Sequence, residues 1–190
     1  MSYLKFPKLG AEEFKKCQSE TEKFRHFTAP YCEGVGVDVA SQGVTVVPWA
    51  ISFDLPKAEF ERYANGQPPK GPIHLRGFAD KLPFEDRSLD FLYSSHYIED
   101  VLDWKPVIKE WDRVLKVGGH MIILLPDKKL WNEAIARGQT PNCEHRHESY
   151  AGELTEFFGQ FFGHYKVLHD ELTAVTPEDY NIFFCAKRLR

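Results

Sequence analysis

The sequence contains few of the features that mark secreted, membrane-spanning or zinc-binding proteins. Its four cysteines lie at positions 17, 32, 143 and 185 and form no CxxC pair, so neither a disulfide framework nor a zinc ribbon is indicated. No apolar run is long enough to span a bilayer, and the opening segment MSYLKFPKLG lacks the apolar core of a signal peptide. We therefore expect a cytoplasmic protein with reduced thiols and no membrane partner.

Concentrated positive charge, internal repeats and low-complexity segments are also missing. The formal net charge is −4, and the terminal KRLR is the single basic cluster. A protein that binds nucleic acid normally carries a basic stripe, so we expect no nucleic-acid partner. A chain of 190 residues fits one domain with a core of ordinary size, and we predict a single domain over residues 1–190.

What the sequence does contain is an alternation of strand-like apolar runs with amphipathic segments. The predicted strands cover residues 34–39, 50–55, 73–77, 89–95, 120–126, 165–172 and 180–189. The predicted helices cover residues 11–27, 57–64, 104–115, 128–136 and 150–162. Gly118 and Gly119 are expected to end the third helix, and residues 1–30 to contribute an N-terminal helix that packs on the sheet.

This alternation predicts an α/β fold with a mostly parallel sheet and helices on both faces. The last two strands have no helix between them, which predicts an antiparallel hairpin at the C-terminal edge of the sheet. Ligands of such sheets bind at the carboxyl ends of the strands. The residues that follow each strand are therefore the first candidates for a site.

Three consecutive predicted strands end at or run into an acid: Asp38, Asp54 and Asp80. A carboxylate accepts hydrogen bonds from both hydroxyls of a ribose, and it can also accept one from the exocyclic amine of an adenine. Strand ends are also where polar residues commonly return to the surface. Three acids in series favour a nucleoside site over that simpler interpretation.

The segment Gly77–Asp127, GFADKLPFEDRSLDFLYSSHYIEDVLDWKPVIKEWDRVLKVGGHMIILLPD, resembles the middle of class I S-adenosylmethionine-dependent methyltransferases of the type 11 branch. The resemblance extends more weakly to GVGVDVASQGVTVVPWAISFDL before it and to HRHESYAGELTEFF after it. It implies a Rossmann-like methyltransferase fold and S-adenosyl-L-methionine as cofactor. It also implies a small-molecule or glycan-related acceptor, methylated at oxygen or nitrogen.

The resemblance assigns roles to individual residues. It makes Asp54 the ribose ligand and Asp80 the contact to the adenine amine, and it places Leu82 against the adenine face. The implied cofactor-binding set is Asp38, Ala40, Gly43, Asp54, Leu55, Ala79, Asp80, Lys81, Leu82, Ser94 and Ser95. Within this set Ser94 and Ser95 are expected to line the methionine part of the cofactor, and His96 is expected to face the acceptor.

The loop after the first strand departs from the D-x-G-x-G pattern of the family. Ala40 and Gln42 occupy both glycine positions, although Gly43 follows one place later. Glycine permits positive φ and leaves no Cβ to meet the ligand. Residues 40–49 are also too few for a proper crossover helix. The alternative interpretation is therefore a non-catalytic protein of this fold that acts as a binding or regulatory module.

A third interpretation, a nicotinamide-dependent oxidoreductase, is not favoured. Its G-x-G-x-x-G motif follows a strand, whereas the glycines of GVGVDV lie within the predicted strand.

Three histidines are candidates for the catalytic base: His96, His145 and His147. Imidazole titrates near neutrality, so each could take a proton from an acceptor hydroxyl. Residues 143–147, CEHRH, suggest a metal cluster, but no second pair of ligands stands at zinc-finger spacing, and no metal site is expected. Trp104 and Trp111 lie seven apart on one helix, which fits either the core or a contact in a homodimer.

Overall fold

The computed structural model describes residues 16–17, 19–140, 145–174 and 179–190. Within these residues it contains a seven-stranded sheet with the strand order β3-β2-β1-β4-β5-β7-β6. The strands are β1 (Gly36–Val39), β2 (Ile51–Asp54), β3 (Leu75–Arg76), β4 (Leu89–Ser95), β5 (Leu115–Pro126), β6 (Tyr165–Thr173) and β7 (Asn181–Arg188). Strands β1 to β5 are mutually parallel, and β7 is antiparallel to both β5 and β6. The predicted sheet and its antiparallel edge hairpin are confirmed.

Helices cover both faces of this sheet, as predicted. They are α1 (Glu20–Thr28), α2 (Lys57–Tyr63), α3 (Lys105–Val114), α4 (Lys128–Ala136) and α5 (Glu153–Phe161), with short 3₁₀ turns at Ala29–Tyr31 and Ile98–Asp100. Trp111 of α3 and Phe158 of α5 belong to the core on one face, together with Trp104. Phe24 of α1 and Val46 of the loop after β1 belong to the core on the other. Both tryptophans are therefore core residues.

The first helix begins later than the sequence pattern predicts. Its part over residues 11–15 and at 18 lies outside the described residues, while Lys16 and Cys17 are not helical. Ser19 is extended, and its side chain accepts a hydrogen bond from the backbone N–H of Glu22 at 3.2 Å. That N-cap satisfies one of the free donors at the helix start, which explains why α1 begins at Glu20.

The prediction that Gly118 and Gly119 end the third helix is wrong. The helix α3 ends at Val114, and β5 starts at the next residue, Leu115, which pairs with Leu89. Gly118 lies inside this strand with φ at 85°, and a Cβ on Gly119 would come 2.9 Å from the carbonyl oxygen of Asp90. Gly118 therefore permits an irregular backbone conformation within the strand, and Gly119 permits its close approach to β4. Neither glycine ends a helix.

Other predicted boundaries differ by a few residues. The last helix starts at Glu153 and not at residue 150, because its N-cap Gly152 is left-handed, with φ at 99°, and residues 151–152 form a turn. The third strand is only two residues long, at Leu75–Arg76. Residues 40–49 contain no helix, which confirms that the short crossover between β1 and β2 leaves no room for one.

The order of the strands reverses between β1 and β4. The carboxyl ends of β1, β2 and β4 lie along one edge of the sheet because the three strands are parallel and adjacent. Crevices at such a reversal are the usual ligand sites of open α/β sheets. No helix in the described part of the chain has both the length and the apolar character needed to cross a membrane.

Candidate functional site

A cavity of about 480 Å³ lies at the carboxyl ends of β1, β2 and β4. Its walls come from all of the loops that meet there. They include residues 40–42 after β1, Asp54 and Leu55 after β2, residues 95–97 after β4, residues 19–21 at the start of α1, Phe60 and Tyr63 of α2, Lys70 and residues 100–102. The sheet edge singled out by the sequence therefore carries a cavity.

Asp54 joins the loop after β1 to the end of β2. The backbone N–H of Gln42 donates to Asp54 Oδ2 at 2.7 Å, and the backbone N–H of Leu55 donates to Asp54 Oδ1 at 2.8 Å. Burial raises the pKa of Asp54, while these two hydrogen bonds oppose the rise. Each carboxylate oxygen has a further lone pair, so Asp54 can still accept hydrogen bonds from a ligand in the cavity.

The loop keeps the backbone conformation of a glycine turn although two of its residues carry side chains. Ala40 has φ at 61°, Gln42 at 48° and Gly43 at 84°. The backbone N–H of Ala40 donates to Phe53 O at 2.9 Å and fixes the turn against β2. Ala40 and Gln42 therefore take the left-handed shape that the family pattern assigns to glycine.

Gly43 and Asp38 support this loop from outside the cavity. A Cβ on Gly43 would lie 2.2 Å from the carbonyl oxygen of Gly71, so the backbones of the two loops are in direct contact. Asp38 is 1% exposed, and its Oδ2 accepts a hydrogen bond from the backbone N–H of Val46 at 2.7 Å. Burial raises the pKa of Asp38 well above its usual range. Neither residue lines the cavity.

The two serines at the end of β4 have different surroundings. Ser94 is buried, and its hydroxyl donates to the carbonyl oxygen of Val39 at 3.0 Å. Ser95 lines the cavity beside His96 and Tyr97. Of the two predicted methionine contacts, Ser95 is the one that lies where a ligand can reach it.

A second, much smaller cavity of about 10 Å³ adjoins the first. The two cavities share Ala40, Asp54, Leu55 and Tyr97, and the smaller one also contains Ala79. Leu55 and Ala79, both members of the predicted cofactor-binding set, therefore line the same small cavity. A planar base needs a wider opening than this cavity has, so Tyr97 and its neighbours would have to separate to admit one.

The remaining predicted adenine contacts lie outside both cavities. Leu82 is 4% exposed and belongs to the core, whereas Asp80 and Lys81 are exposed. The negative charge of Asp80 nevertheless acts on Tyr97. Burial, followed by the negative charges of Asp80, Asp54 and Asp100, raises the pKa of Tyr97 to about 12.

His96 lines the cavity, but both of its ring nitrogens are occupied. Nε2 is 2.7 Å from Asn181 Oδ1, and Nδ1 is 3.1 Å from Glu99 Oε1. Two facing acceptors require two ring protons, so the geometry favours the imidazolium form. Burial alone lowers the pKa of His96, but the hydrogen bond and charge of Glu99 outweigh it and raise the pKa to about 9.

The other two histidine candidates do not line the cavity. His147 Nε2 is 2.8 Å from Glu153 Oε1, and the ring lies 5.7 Å from that of Trp104. His145 packs on Trp131 with the ring centres 5.1 Å apart. The charge of His145 still acts on the carboxyl group of Asp100, whose pKa burial raises. The described residues contain no group of three metal-ligating side chains; Cys143 and Glu144 of the CEHRH segment lie outside them.

Several cavity residues were not singled out from the sequence. Tyr97 and Asp100 stand in the SSHYIED segment directly after β4, so the rule of inspecting strand ends could have found them. Lys70 lies in the turn-rich segment before β3. Residues 19–21 come from a helix far away in sequence, and only the tertiary fold brings them to the cavity.

Comparisons with known proteins identify the family and the fold of this chain. A family model described as "Methyltransferase domain" matches residues 24–123, which is more than half of the chain. The demethylmenaquinone methyltransferase of Staphylococcus haemolyticus is 43% identical over 53 residues, and that of Chlorobaculum tepidum is 40% identical over 52. Each match covers 27% of this chain but only 22% of the relative's length.

Solved structures are similar over nearly the whole chain. An S-adenosylmethionine-dependent methyltransferase from Mesorhizobium loti has a TM-score of 0.62 and 18% identity, and the match covers 90% of this chain and 99% of that one. A possible histamine N-methyltransferase from Thermotoga maritima has a TM-score of 0.60 and 21% identity over 93% and 97% of the two chains. At identities this low, the solved structures show only that the fold is shared. The family model shows that the chain is a member of the family. The chain belongs to the methyltransferase-domain family whose model it matches, and its fold is that of the S-adenosylmethionine-dependent methyltransferases.

Proposed function

We propose that this protein transfers a methyl group from S-adenosyl-L-methionine to an oxygen or nitrogen of a small-molecule or glycan-related acceptor. The observation that carries the proposal is the loop after β1. Ala40 and Gln42 hold φ values of 61° and 48°, which a non-glycine residue adopts at a cost of about 1 kcal/mol each. Strain of this kind persists where the surrounding structure or a ligand requires it, and here it shapes the wall of the cavity.

The residues around the cavity fit the cofactor. Asp54 would accept hydrogen bonds from the ribose, Leu55 and Ala79 would flank the adenine, and Ser95 would lie beside the methionine part. The carboxylate of Asp80, whose charge acts on Tyr97, would reach the adenine amine once the smaller cavity opens. When bound, the cofactor supplies a methyl group on a positively charged sulfur, so the acceptor needs mainly to be held in line with it.

Among the residues of the wall, Asp100 is the best placed to take a proton from the acceptor. Its Oδ2 accepts a hydrogen bond from the Tyr63 hydroxyl at 2.7 Å, while its Oδ1 is enclosed and has no hydrogen-bond partner among the described residues. Burial raises the pKa of Asp100, which makes it a stronger base than an exposed carboxylate. His96 is the other candidate in the wall, but its two nitrogens are already occupied.

The wall near Asp100 also bears on the acceptor. Val101 and Leu102 line the cavity together with Phe60, and the side chain of Leu102 is 83% exposed. This apolar rim suits an acceptor with an aromatic or aliphatic part next to its reactive hydroxyl or amine. The two relatives are demethylmenaquinone methyltransferases by name, and they match this chain over a limited segment only.

Isothermal titration with S-adenosylmethionine and S-adenosylhomocysteine tests the cofactor site directly. We expect micromolar binding to the wild type and a loss of at least tenfold for Asp54→Ala. The matched control is Glu61→Ala, which removes an exposed carboxylate paired with Lys57. Absence of binding at millimolar cofactor, with circular dichroism showing a folded protein, would support the non-catalytic alternative. Equal binding by Asp54→Ala would remove Asp54 from the site.

A further inference from the structure

Asn181 lies behind the cavity and links two of its walls. It is the first residue of β7, is 1% exposed and does not line the cavity. Its Oδ1 is 2.7 Å from His96 Nε2, and its Nδ2 donates to Glu20 Oε2 at 3.1 Å. Both partners line the cavity, one after β4 and one at the start of α1. A single buried amide therefore joins two elements that meet only in the folded protein.

The orientation of this amide is determined by its partners. Glu20 offers only acceptor oxygens, so the amide NH₂ must face it and the amide oxygen must face His96. The oxygen in turn requires a proton on His96 Nε2. Glu99, which is 1% exposed, faces Nδ1 at 3.1 Å. The result is a continuous hydrogen-bonded chain of four side chains, Glu20–Asn181–His96–Glu99. In it, Glu20 fixes the orientation of the Asn181 amide, and the amide oxygen and Glu99 fix the protons on the His96 ring.

His96 needs such support because its backbone is in the left-handed region, with φ at 53°. Its backbone N–H donates to Leu124 O at 2.9 Å, and its ring is held at both nitrogens. A histidine without these contacts would relax toward an ordinary φ, and Ser95 and Tyr97 on either side would move with it. Both neighbours line the cavity, and Ser95 belongs to the predicted cofactor-binding set.

We propose that Asn181 is a positioning residue for the cofactor cavity, which acts by holding His96 in its strained conformation and the start of α1 against it. The inference rests on the proposed cofactor site, because its functional consequence is cofactor affinity. It differs from a purely structural role in one respect. The effect of Asn181 on binding must pass through His96 and Glu20, so the part that His96 carries must disappear when its ring is removed.

A double-mutant cycle measures that dependence. The variants are Asn181→Leu, His96→Gly and the two combined, each titrated with S-adenosylhomocysteine well below its unfolding temperature. Glycine at 96 accepts a positive φ without strain and removes the ring. We expect Asn181→Leu to weaken binding about tenfold in the wild type and less than threefold beside His96→Gly. An equal loss in both backgrounds would overturn the proposed action through His96, while hydrogen exchange tests the action through α1.

The control is Thr173→Val, which alters a buried polar residue paired with Asn181 across the hairpin. We expect it to lower stability without changing affinity. Hydrogen exchange of the ligand-free protein gives a second readout that needs no cofactor. Residues 20–28 should exchange faster in Asn181→Leu than in Thr173→Val, with β4 and β5 unchanged. If the wild type binds no cofactor, the proposed function fails, and exchange alone then decides whether Asn181 holds α1; unchanged exchange there overturns the proposal.

Discussion

Gly43 and Gly71 lie backbone against backbone, so closely that a Cβ on either residue would come 2.2 Å from the carbonyl oxygen of the other. Beside them the backbone N–H of Lys70 donates to Gln42 O at 2.8 Å. The loop that shapes the cavity is therefore set by its contact with the turn before β3. This explains why a glycine follows the two replaced positions: it is required by packing, while the cavity itself is lined by residues 40–42.

We predict that Gly43→Ala destabilises the protein by about 2–4 kcal/mol, because the new methyl group meets backbone and the φ of 84° is unfavourable for alanine. The control is Gly66→Ala, where φ is 74° but no atom lies within 4 Å. That variant should show the φ cost alone, about 1 kcal/mol. Denaturant unfolding measures both, and equal losses would mean that the close approach of the loops costs little to relieve.

Replacing alanine by glycine at position 40 should stabilise the protein slightly. Ala40→Gly removes the strain of a positive φ, and we expect it to change stability by between 0 and about 1 kcal/mol in the favourable direction. Ala134→Gly in the last turn of α4 is the matched change at an ordinary helical position, and it should cost about 1 kcal/mol. Thermal unfolding of the two variants side by side checks the difference in sign. A loss at position 40 as large as that at 134 would contradict it.

The sequence predicts the sheet of this protein better than it predicts the site. Alternating apolar runs are visible in the sequence because burial imposes a period, so β4 was placed at Leu89–Ser95 and α4 at Lys128–Ala136 as the structure has them. The predicted helix end at Gly118 is wrong because a glycine that ends a helix and a glycine that permits an irregular strand cannot be distinguished from the sequence alone. Only the pairing of Leu115 with Leu89 distinguishes them.

The site depends on contacts that sequence spacing does not encode. Asp54 could be predicted because it ends a strand, and the structure places it in the cavity. Asn181 could not, because its partners lie 85 and 161 residues away along the chain. The protonation of His96 likewise depends on Glu99 and Asn181, so its chemical role was open until the fold brought the three together.

The stability of the protein should decline between about pH 6.5 and pH 9 through His96. Its folded pKa of about 9 lies above the ordinary value of 6.5. The protonated ring therefore favours the folded state fully below pH 6.5, and this contribution disappears as the pH rises through 9. We expect about 1–3 kcal/mol from this group. Urea unfolding of the wild type and of His96→Gln across this pH range isolates the contribution of His96 to the free energy of unfolding. The prediction is contradicted if the free energy of unfolding depends on pH in the same way in both proteins.

The last prediction concerns the proton of the acceptor. If Asp100 takes it, Asp100→Asn should leave the affinity for S-adenosylhomocysteine within twofold but lower turnover by about 10²–10⁴-fold, the usual range for loss of a general base. Asn keeps the size of the side chain and can still accept from the Tyr63 hydroxyl, so the cavity should persist. Formation of S-adenosylhomocysteine with a panel of hydroxyl and amine acceptors provides the measurement.

Asp103→Asn is the control for this change, since its carboxylate is exposed three residues away and lies outside the cavity. His145→Ala and His147→Ala test the remaining candidates under the same conditions. Because neither ring lines the cavity, we expect each to retain more than a tenth of wild-type turnover. The opposite result would be an active Asp100→Asn together with a histidine variant whose turnover falls by about 10²–10⁴-fold. That result would assign proton removal to the histidine and not to Asp100.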